Sequence, residues 1–469
     1  MDLKGKKVLV VGLAKTGTAV IPFLVGRGAR VMGVDEKSRE SLESDLKSLE
    51  GISCDLEVGH PFPSKIFEQV DLIVVSPGVP LEREPFDRAR AKGISIVGEL
   101  ELASRFLKKP ILAITGTNGK TTTTTLIGEM LRKSNIRCFV GGNIGNPLIH
   151  AIGSESEFDW IVVEVSSFQL ESIQTFRPKI AVLLNLAEDH LDRYPSVKEY
   201  FGAKLRLFSN QQASDDAVLN GDEPIVLQET SQIPSRKFLF GSQVPSHLAL
   251  LEAFFRGENI VFRGLQGEET YPLKDFRLVG EHNRSNLMAA IVASRLAGAT
   301  LPGIIQAYQS FQGLEHRLEY VTTLSGIDFY NDSKATTVDS VLQALRSFER
   351  PVLWIAGGKD KGLDYSLLRE IVRKRVRKAI LMGEAAPRIR EEMGPIVSTV
   401  LCSSLEEAVV KAYEEAHSGD VVLLSPACSS YDMFKNYEER GDIFKNIVRR
   451  LGHPDPRHER GEGSRRVRK

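Results

Sequence analysis

Short, continuous apolar runs that alternate with helix-like segments constrain the fold of this 469-residue chain more than any other feature. The runs show no polar–apolar alternation, which is typical of parallel strands that helices cover on both faces. Helical segments between such strands indicate an α/β protein. The runs predicted as buried strands are Lys7–Val11, Asp71–Val75, Ile111–Ile114, Trp160–Val163, Ala181–Leu184, Val352–Ile355 and Val421–Leu424.

A candidate phosphate loop follows the third of these runs and precedes a helix-like stretch, Thr121–Arg132. Glycines let backbone N–H groups turn toward one point, and the start of a helix adds partial positive charge there. Lys120 can neutralise the β- and γ-phosphates of a nucleotide, and Thr121 can ligate Mg²⁺. The loop departs from the strict pattern, because Ile114 stands where a glycine is usual. The predicted nucleotide-binding residues are Gly116, Thr117, Asn118, Gly119, Lys120, Thr121 and Thr122.

A second glycine loop, Gly12–Gly17, also follows a strand, and Asp35 ends the next strand about 20 residues later, where an acid that binds ribose would lie. This arrangement suggests a dinucleotide site. However, Ala14 occupies the position of the second glycine, so a plain packing turn and a site for a different nucleotide remain alternatives. The loop that begins at Ser76 ends another strand of the same sheet, at the edge where ligands bind.

These units predict three domains. The expected domains are a Rossmann-like N-terminal domain over residues 1–100, a central P-loop ATPase-type parallel sheet over residues 101–314, and a Rossmann-like C-terminal domain over residues 315–452. A weaker alternating pattern in residues 236–275 predicts a β excursion of the central domain. Residues 453–469 hold six basic and three acidic residues with almost no apolar ones, and are predicted to be disordered.

Composition excludes several classes of protein. The 61 basic residues balance 61 acidic ones, so the chain lacks the basic excess of a nucleic-acid or membrane-surface protein. Its four cysteines form no CxxC pair, which favours a reducing compartment. No apolar run reaches about 18 residues, and the N-terminus leads directly into a strand without a signal region. We therefore expect a cytoplasmic protein.

Acidic and histidine residues follow two strands of the predicted central sheet. Glu164 ends the run that begins at Trp160, and His190 lies in the acidic loop after Leu184. A buried glutamate is costly unless it is paired or bound to a metal. Together with Thr121, these residues would suit Mg²⁺. A simple Asp–His loop cap at residues 189–190 is the alternative.

The motifs taken together resemble those of the Mur ligase family, and in particular of its D-glutamate-adding members. They occur in order along nearly the whole chain. The residues that carry the resemblance are Thr115–Thr122 (TGTNGKTT), Gly141–Gly145 (GGNIG), Glu164–Gln169 (EVSSFQ), Asp189–Arg193 (DHLDR), Lys204–Phe208 (KLRLF), Glu281–Asn286 (EHNRSN), Leu314–Arg317 (LEHR), Asn331–Thr336 (NDSKAT) and Ser425–Arg440 (SPACSSYDMFKNYEER).

The resemblance implies a role for residues in each domain. It assigns the UDP-linked substrate to Lys15, Thr16, Asp35, Ser76 and Asn143. It adds Asn286, Arg317 and Asp332 to the ATP site. It assigns D-glutamate to Thr336, Lys361, Ser430, Tyr431 and Tyr437. Tyr431 stands where the family usually has an aliphatic residue, and Tyr437 stands where it usually has a phenylalanine. It implies two Mg²⁺ sites, held by Thr121, Glu164, His190 and a carbamylated Lys204, and catalytic roles for Lys120, Glu164, His190 and Lys204.

The implied activity is an ATP-dependent acid–amino-acid ligase of peptidoglycan precursor synthesis, with UDP-N-acetylmuramoyl-L-alanine and D-glutamate as substrates and a monomer as the expected state. A folylpolyglutamate synthase-like ligase shares the phosphate loop and is the nearest alternative. An NAD-dependent oxidoreductase using Gly12–Gly17 and an NTP-driven switch are alternatives from other classes. For Lys204 a solvent-exposed helix position is the simpler interpretation, and for Lys361 a solvated loop position. Lys359 is a rival to Lys361.

Overall fold

The computed structural model describes residues 1–62, 65–189, 193–242, 252–264 and 267–452. It has three β-sheets with helices between their strands, which confirms the predicted α/β class. The chain forms two compact units. One comprises residues 1–276 and 285–310, and the other comprises residues 277–284 and 311 onward. No helix in the described ranges is long and apolar enough to cross a membrane.

The first sheet contains five parallel strands in the order β3-β2-β1-β4-β5. Its strands are β1 (Lys7–Val11), β2 (Arg30–Asp35), β3 (Asp55–Val58), β4 (Leu72–Val75) and β5 (Ser95–Gly98). Its helices are α1 (Lys15–Gly26), α2 (Glu43–Leu46) and α3 (Glu84–Ala91), and α4 (Glu99–Ser104) follows β5. The strand order reverses between β1 and β4, and this switch point opens a crevice at their carboxyl ends.

The second sheet has nine strands in the order β14-β13-β12-β11-β10-β9-β6-β8-β7. The strands are β6 (Ile111–Thr115), β7 (Cys138–Gly142), β8 (Trp160–Glu164), β9 (Ile180–Leu183), β10 (Asp216–Asn220), β11 (Arg236–Phe240), β12 (Glu252–Arg256), β13 (Asn259–Gly264) and β14 (Gly267–Pro272). The helices are α5 (Lys120–Lys133), α6 (Ser167–Leu170), α7 (Val197–Leu205), α8 (Pro224–Glu229), α9 (Glu281–Leu296) and α10 (Leu301–Ser310). The last two strands pair antiparallel, so the predicted β excursion extends the parallel sheet itself.

The third sheet has six strands in the order β15-β16-β20-β17-β18-β19, and only its edge strand β15 is antiparallel. The strands are β15 (Glu319–Leu324), β16 (Ile327–Asn331), β17 (Val352–Gly357), β18 (Val376–Met382), β19 (Ser398–Leu401) and β20 (Val421–Leu424). The helices are α11 (Val338–Arg346), α12 (Arg369–Arg375), α13 (Ala386–Met393), α14 (Leu405–Glu415) and α15 (Tyr437–Gly452).

Each apolar run predicted as a buried strand forms one. The five residues of β6 and the six of β17 are all buried, because helices cover both faces of the sheet at these central positions. Helix α5 begins one residue earlier and ends one residue later than predicted. The buried strands fix the loops at their carboxyl ends, and the candidate site residues lie in these loops.

Candidate functional site

The phosphate loop joins β6 to α5 through backbone conformations that favour glycine. Gly116 has φ +155° and Gly119, at the N-cap of the helix, has φ +80°. A Cβ atom on Gly119 would lie 2.2 Å from Oδ1 of Asn286. Lys120 folds back over the loop, with its Nζ 3.0 Å from the carbonyl oxygen of Gly116 and 2.8 Å from that of Thr117. The loop thus places a cation and a helix N-terminus at one point, next to the Asn286 amide.

The phosphate loop is fixed by hydrogen bonds to the residues that follow β9. The backbone N–H of Asn118 donates to Oδ1 of Asn185 at 2.8 Å, and Nδ2 of Asn185 donates to the Asn118 carbonyl at 3.1 Å. Thr117 Oγ1 donates to the carbonyl of Ala187 at 3.0 Å. Asn185 is not among the predicted site residues. Its position directly after the segment AVLL, on a strand next to β6, is the signal that could have identified it.

Lys204 is buried beside the phosphate loop. Only 2% of the residue is exposed, so the interpretation of Lys204 as a surface lysine is wrong. Its Nζ lies 2.9 Å from the Gly116 carbonyl oxygen and 4.5 Å from the centre of the Tyr200 ring. Burial and the charge of Lys120 lower the pKa of Lys204 to about 7, against the opposing effect of Asp189 and Glu164. A substantial fraction of this amine is therefore neutral near pH 7.

Glu164 ends β8 with a carboxylate that is 2% exposed and only half satisfied. Its Oε1 accepts a hydrogen bond from Nδ2 of Asn143 at 2.9 Å, whereas Oε2 is buried without a hydrogen-bond partner among the residues that the structure describes. A buried carboxylate oxygen without a donor is costly, and a divalent cation would satisfy it. The buried carboxylate of Glu164 therefore fits Mg²⁺. In the described part of the chain no three acidic, histidine or cysteine side chains cluster as a metal site, and His190 lies outside that part.

Asp35 and Ser76 lie at the switch point of the first sheet. The Asp35 carboxylate accepts hydrogen bonds from the backbone N–H groups of Leu13 at 2.6 Å and Lys37 at 2.9 Å. Ser76 Oγ donates to the Gly12 carbonyl at 2.8 Å, which ties the β1 and β4 loops together. Thr16 lies half-buried in the first turn of α1. The arrangement forms a polar crevice at the edge where such sheets bind nucleotides.

The loop after β7 connects these two regions. Lys15 Nζ donates to the Gly145 carbonyl at 2.6 Å, and Asn143, two residues earlier, holds Glu164. Gly142 needs its positive φ of +97°, and a Cβ atom there would lie 2.4 Å from the Glu164 carbonyl oxygen. One short loop therefore contacts both the crevice of the first sheet and the orphan carboxylate of the second.

In the other compact unit, Asp332 follows β16 and is buried. Ser425 Oγ donates to its Oδ2 at 2.8 Å, and the Leu318 backbone N–H donates to its Oδ1 at 3.2 Å. Burial raises the pKa of Asp332 to about 7, although these hydrogen bonds and the Arg317 charge favour the ionised form. The structure thus brings Arg317 and Asp332 together, at the carboxyl end of the third sheet.

The segment after β20 carries the predicted amino-acid site. Ser430 is 2% exposed and its Oγ has no hydrogen-bond partner in the described structure, whereas Tyr431 beside it is 73% exposed. The Tyr437 ring packs edge-on against His316, with centroids 5.9 Å apart, and lies under Lys334 Nζ at 5.2 Å. Thr336 is half-buried in the NDSKAT segment.

Arg440, which is not among the predicted site residues, joins the segment after β16 to the segment after β20. It is fully buried, and its guanidinium donates to the Ser333 side chain at 2.9 Å and to the carbonyls of Ser333 at 2.8 Å and Cys428 at 3.2 Å. A buried arginine held by neutral acceptors keeps both loops in one arrangement. Its distance in sequence from NDSKAT leaves no local signal of this contact.

The two candidate lysines after β17 differ in their partners. Lys359 Nζ lies 2.7 Å from Oε2 of Glu384, whose backbone N–H donates to Asp432 at 3.0 Å. Lys361 is exposed and has no ion-pair or hydrogen-bond partner among the residues that the structure describes. Of the two, Lys361 is the lysine that a carboxylate ligand can reach without breaking an ion pair.

Comparison with known proteins matches three family descriptions along the chain. Residues 6–98 match the Mur ligase MurD-like N-terminal domain, residues 114–294 the Mur ligase middle domain, and residues 316–428 the Mur ligase glutamate ligase domain. A UDP-N-acetylmuramoylalanine–D-glutamate ligase of Geotalea daltonii is 48% identical over 97% of this chain and 100% of its own. The ligase of the same name from Geobacter metallireducens is 46% identical over 96% and 99%.

Two solved structures share the fold. A pseudomurein peptide ligase type C from Methanothermus fervidus superposes with a TM-score of 0.58 at 19% identity, covering 95% of this chain and 100% of that one. A UDP-N-acetylmuramate-alanine ligase from Thermotoga maritima gives a TM-score of 0.56 at 18% identity, with the same coverage. At these identities the likeness concerns the arrangement of the chain alone.

Proposed function

The chain belongs to the Mur ligase family, and we propose that it is an ATP-dependent ligase that joins D-glutamate to UDP-N-acetylmuramoyl-L-alanine in peptidoglycan precursor synthesis. The observation that carries this proposal is 48% identity to a ligase of that name over 97% of the chain. The N-terminal match to a MurD-like domain argues against a folylpolyglutamate synthase-like enzyme and against an NAD-dependent oxidoreductase, the two main alternatives.

The phosphate loop would bind the triphosphate of ATP. The N-terminus of α5 and the Lys120 ammonium offset the charge of the β- and γ-phosphates. Asn286 beside Gly119 would contribute to the nucleotide site, and the family resemblance assigns Arg317 and Asp332 to ATP as well. Asp35, Ser76, Lys15, Thr16 and Asn143 would bind the UDP-linked substrate, in agreement with the crevice at the β1–β4 switch point.

Mg²⁺ would be held by Thr121 and Glu164, with His190 and Lys204 at a second site. Bound there, it would offset the negative charge that builds up when a carboxylate meets a triphosphate. The orphan Oε2 of Glu164 supports the first site. For the second, the neutral amine of Lys204 can add CO₂, with loss of a proton, to give a carbamate whose oxygens can ligate a cation. Burial beside Lys120 supports this modification, because it stabilises the neutral amine that reacts.

The reaction would proceed in two steps. An oxygen of the substrate carboxylate attacks the γ-phosphorus of ATP, the bond to the bridging oxygen breaks, and ADP leaves from an acyl phosphate. The neutral amine of D-glutamate then attacks the acyl carbon, and phosphate leaves as the amide bond forms and the amine loses its proton. Lys120 would hold the γ-phosphoryl in line, and Lys361, Ser430 and Tyr437 would orient the amino acid.

The test is whether release of phosphate from ATP depends on both substrates. We expect release in the presence of UDP-N-acetylmuramoyl-L-alanine and D-glutamate together, and almost none when the UDP substrate is omitted. Lys120→Ala should abolish release, whereas Lys133→Ala, an exposed lysine at the end of the same helix, should leave it unchanged. Release that does not depend on the UDP substrate, or calorimetric binding of NAD, would contradict the proposal. A monomeric state and a cytoplasmic location remain predictions.

A further inference from the structure

Helix α4 carries two buried carboxylates that the proposed chemistry does not use. Glu99, its first residue, is 2% exposed, and Glu101 is fully buried. Burying a carboxylate requires hydrogen-bond donors or a partner charge. The hydrogen-bond donors to Glu99 and Glu101 lie in different segments of the same compact unit. Glu99 therefore ties α4 to the segment after β7, and Glu101 ties it to the segment before β9.

Glu99 holds the turn that follows the loop after β7. Its Oε1 accepts a hydrogen bond from the Ile149 backbone N–H at 2.6 Å, and Oε2 is buried without a partner in the described structure. Burial raises the pKa of Glu99 to about 7, against the hydrogen bonds from Ile149 and Leu148. Ile149 lies in a short 3-10 turn, Leu148–Ala151. Its backbone N–H has no acceptor other than Glu99 in the described structure.

This turn fixes the end of the segment Gly141–Asn146, which we call the connecting loop. The loop closes on itself through the Gly142 N–H, which donates to the Asn146 carbonyl at 2.8 Å. Pro147 links it directly to the turn that Glu99 holds. The connecting loop carries Asn143, which contacts Glu164, and Gly145, which accepts from Lys15. Three residues separate Ile149 from Gly145 and five separate it from Asn143, so a movement at Ile149 reaches both contacts through a short stretch of chain.

From this geometry we infer that Glu99 is a positioning residue for the UDP-linked substrate, acting through the Ile149 N–H to set the connecting loop. Glu99 is not a catalytic residue, because Ile149 and the loop separate it from Glu164 and Lys15. The inference rests on the proposed function, since it assigns Asn143 and Lys15 to the substrate site. It adds that the acceptor oxygen of Glu99, and not its charge, is what the loop requires.

Glu101 provides a matched control on the same helix. Its carboxylate accepts from the backbone N–H groups of Gln174, Thr175 and Phe176 at 2.8 to 3.1 Å and from Arg105 Nε at 2.7 Å. Burial would raise the pKa of Glu101, but these hydrogen bonds together lower it. None of these donors belongs to the connecting loop. Glu101→Gln should therefore lower the melting temperature without a selective effect on substrate affinity.

The kinetic test compares Glu99→Ala and Glu99→Gln with Glu101→Gln. Loss of the acceptor in Glu99→Ala should raise the KM for the UDP substrate by about tenfold, the equivalent of one buried hydrogen bond, and leave the KM for D-glutamate unchanged. Glu99→Gln keeps an oxygen acceptor and should behave like the unmodified enzyme. Equal effects of Glu99→Ala on both KM values, or a loss in Glu99→Gln as large as in Glu99→Ala, would overturn the inference.

Hydrogen exchange gives a readout that does not depend on the reaction. Backbone amides of residues 141–149 should exchange faster in Glu99→Ala than in the unmodified protein and in Glu101→Gln. Glu99→Met, which fills the space without offering an acceptor, serves if Glu99→Ala does not fold. Unchanged exchange in both acceptor-free variants would overturn the inference even if the enzyme proves active. If no activity is found on the UDP substrate, the proposed function fails while exchange still tests the role of Glu99.

Discussion

Lys204 combines burial, a cationic neighbour and an aromatic ring under its amine. Each of these surroundings acts on the charge of the lysine: burial and Lys120 disfavour the ammonium, whereas Tyr200, Asp189 and Glu164 favour it. Burial dominates, so the pKa falls to about 7. A lysine in this state is a better nucleophile toward CO₂ than a solvated one, which gives the carbamate proposal its chemical basis.

Lys204→Ala should lose most ligase activity, and acetate or propionate should restore part of it by occupying the place of the carbamate. Lys198→Ala, an exposed lysine on the same helix, is the control and should keep full activity with no response to carboxylates. The measurement is the rate of phosphate release over a range of acetate concentrations. Full activity of Lys204→Ala without added carboxylate would exclude the carbamate role.

Gly119→Ala should weaken ATP binding more than it weakens the fold. The positive φ costs roughly 1–2 kcal/mol for any residue with a side chain. In addition, the new Cβ would lie 2.2 Å from Asn286 Oδ1, so the Asn286 amide must move. We expect a rise of at least about tenfold in the KM for ATP. Gly153→Ala, with φ +95° and open space around it, controls for the strain alone. An equal KM for ATP in both variants would argue against a role for the Asn286 contact.

At the scale of elements, the loops after β16, β17 and β20 form one polar cluster held by Arg440. The Lys359 backbone N–H donates to the Ser429 carbonyl at 2.9 Å, so the first residue after Gly357 and Gly358 is tied to the segment that contains Ser430. Lys361 lies two residues beyond this tie. The loop after β17 therefore fixes Lys359, whereas the exposed Lys361 side chain is available to bind a ligand.

We predict that Lys361→Ala raises the KM for D-glutamate by tenfold or more while the KM for ATP changes little, because a charge-assisted contact to a carboxylate is lost. Lys359→Ala breaks a half-exposed ion pair with Glu384, and solvent screens such pairs, so this substitution should have a small effect on both KM values. Steady-state kinetics with each substrate varied in turn measures the difference. Small and equal effects of the two substitutions would remove Lys361 from the amino-acid site.

At the scale of the whole molecule, the same rule places the candidate residues of all three sheets. Asp35 ends β2 and Ser76 follows β4 of the first sheet, Glu164 ends β8 of the second, and Asp332 follows β16 of the third. Parallel strands leave their carboxyl ends along one edge, where the connecting loops can vary without disturbing the core. A ligase that must hold three substrates can therefore use one such edge for each.

Stability should depend on pH through Asp332. Its pKa rises from 3.8 to about 7 on folding, so the native state binds more protons between these values. The contribution of Asp332 to the free energy of unfolding must then fall as pH rises from about 4 to about 7, by the order of 3 kcal/mol. Urea unfolding can be followed by Trp354, whose Nε1 donates to the Ser425 carbonyl at 2.7 Å.

Asp332→Asn should flatten the pH dependence of unfolding that is measured in this way. In a protein that keeps Asp332, Ser425→Ala removes the hydroxyl that donates to this carboxylate. Because the ionised carboxylate loses a donor, the pKa of Asp332 should rise, and the fall in the free energy of unfolding should extend to higher pH. If Asp332→Asn leaves the pH dependence of the Trp354 signal unchanged, the carboxylate is already ionised in the native state at low pH, and its burial costs less than we infer.

The buried strands, the α/β class and the phosphate loop could be predicted from the amino-acid sequence, because each depends on local properties. Continuous apolar runs, glycine turns and the Gly-Lys-Thr segment at a helix start are all encoded within about ten residues. Three features are visible only in the folded molecule: Lys204 is buried, Glu164 has one oxygen without a donor among the described residues, and Glu384 pairs with Lys359. These properties depend on charge, burial and donors supplied by segments 21 to 88 residues away in the chain, which no local pattern records.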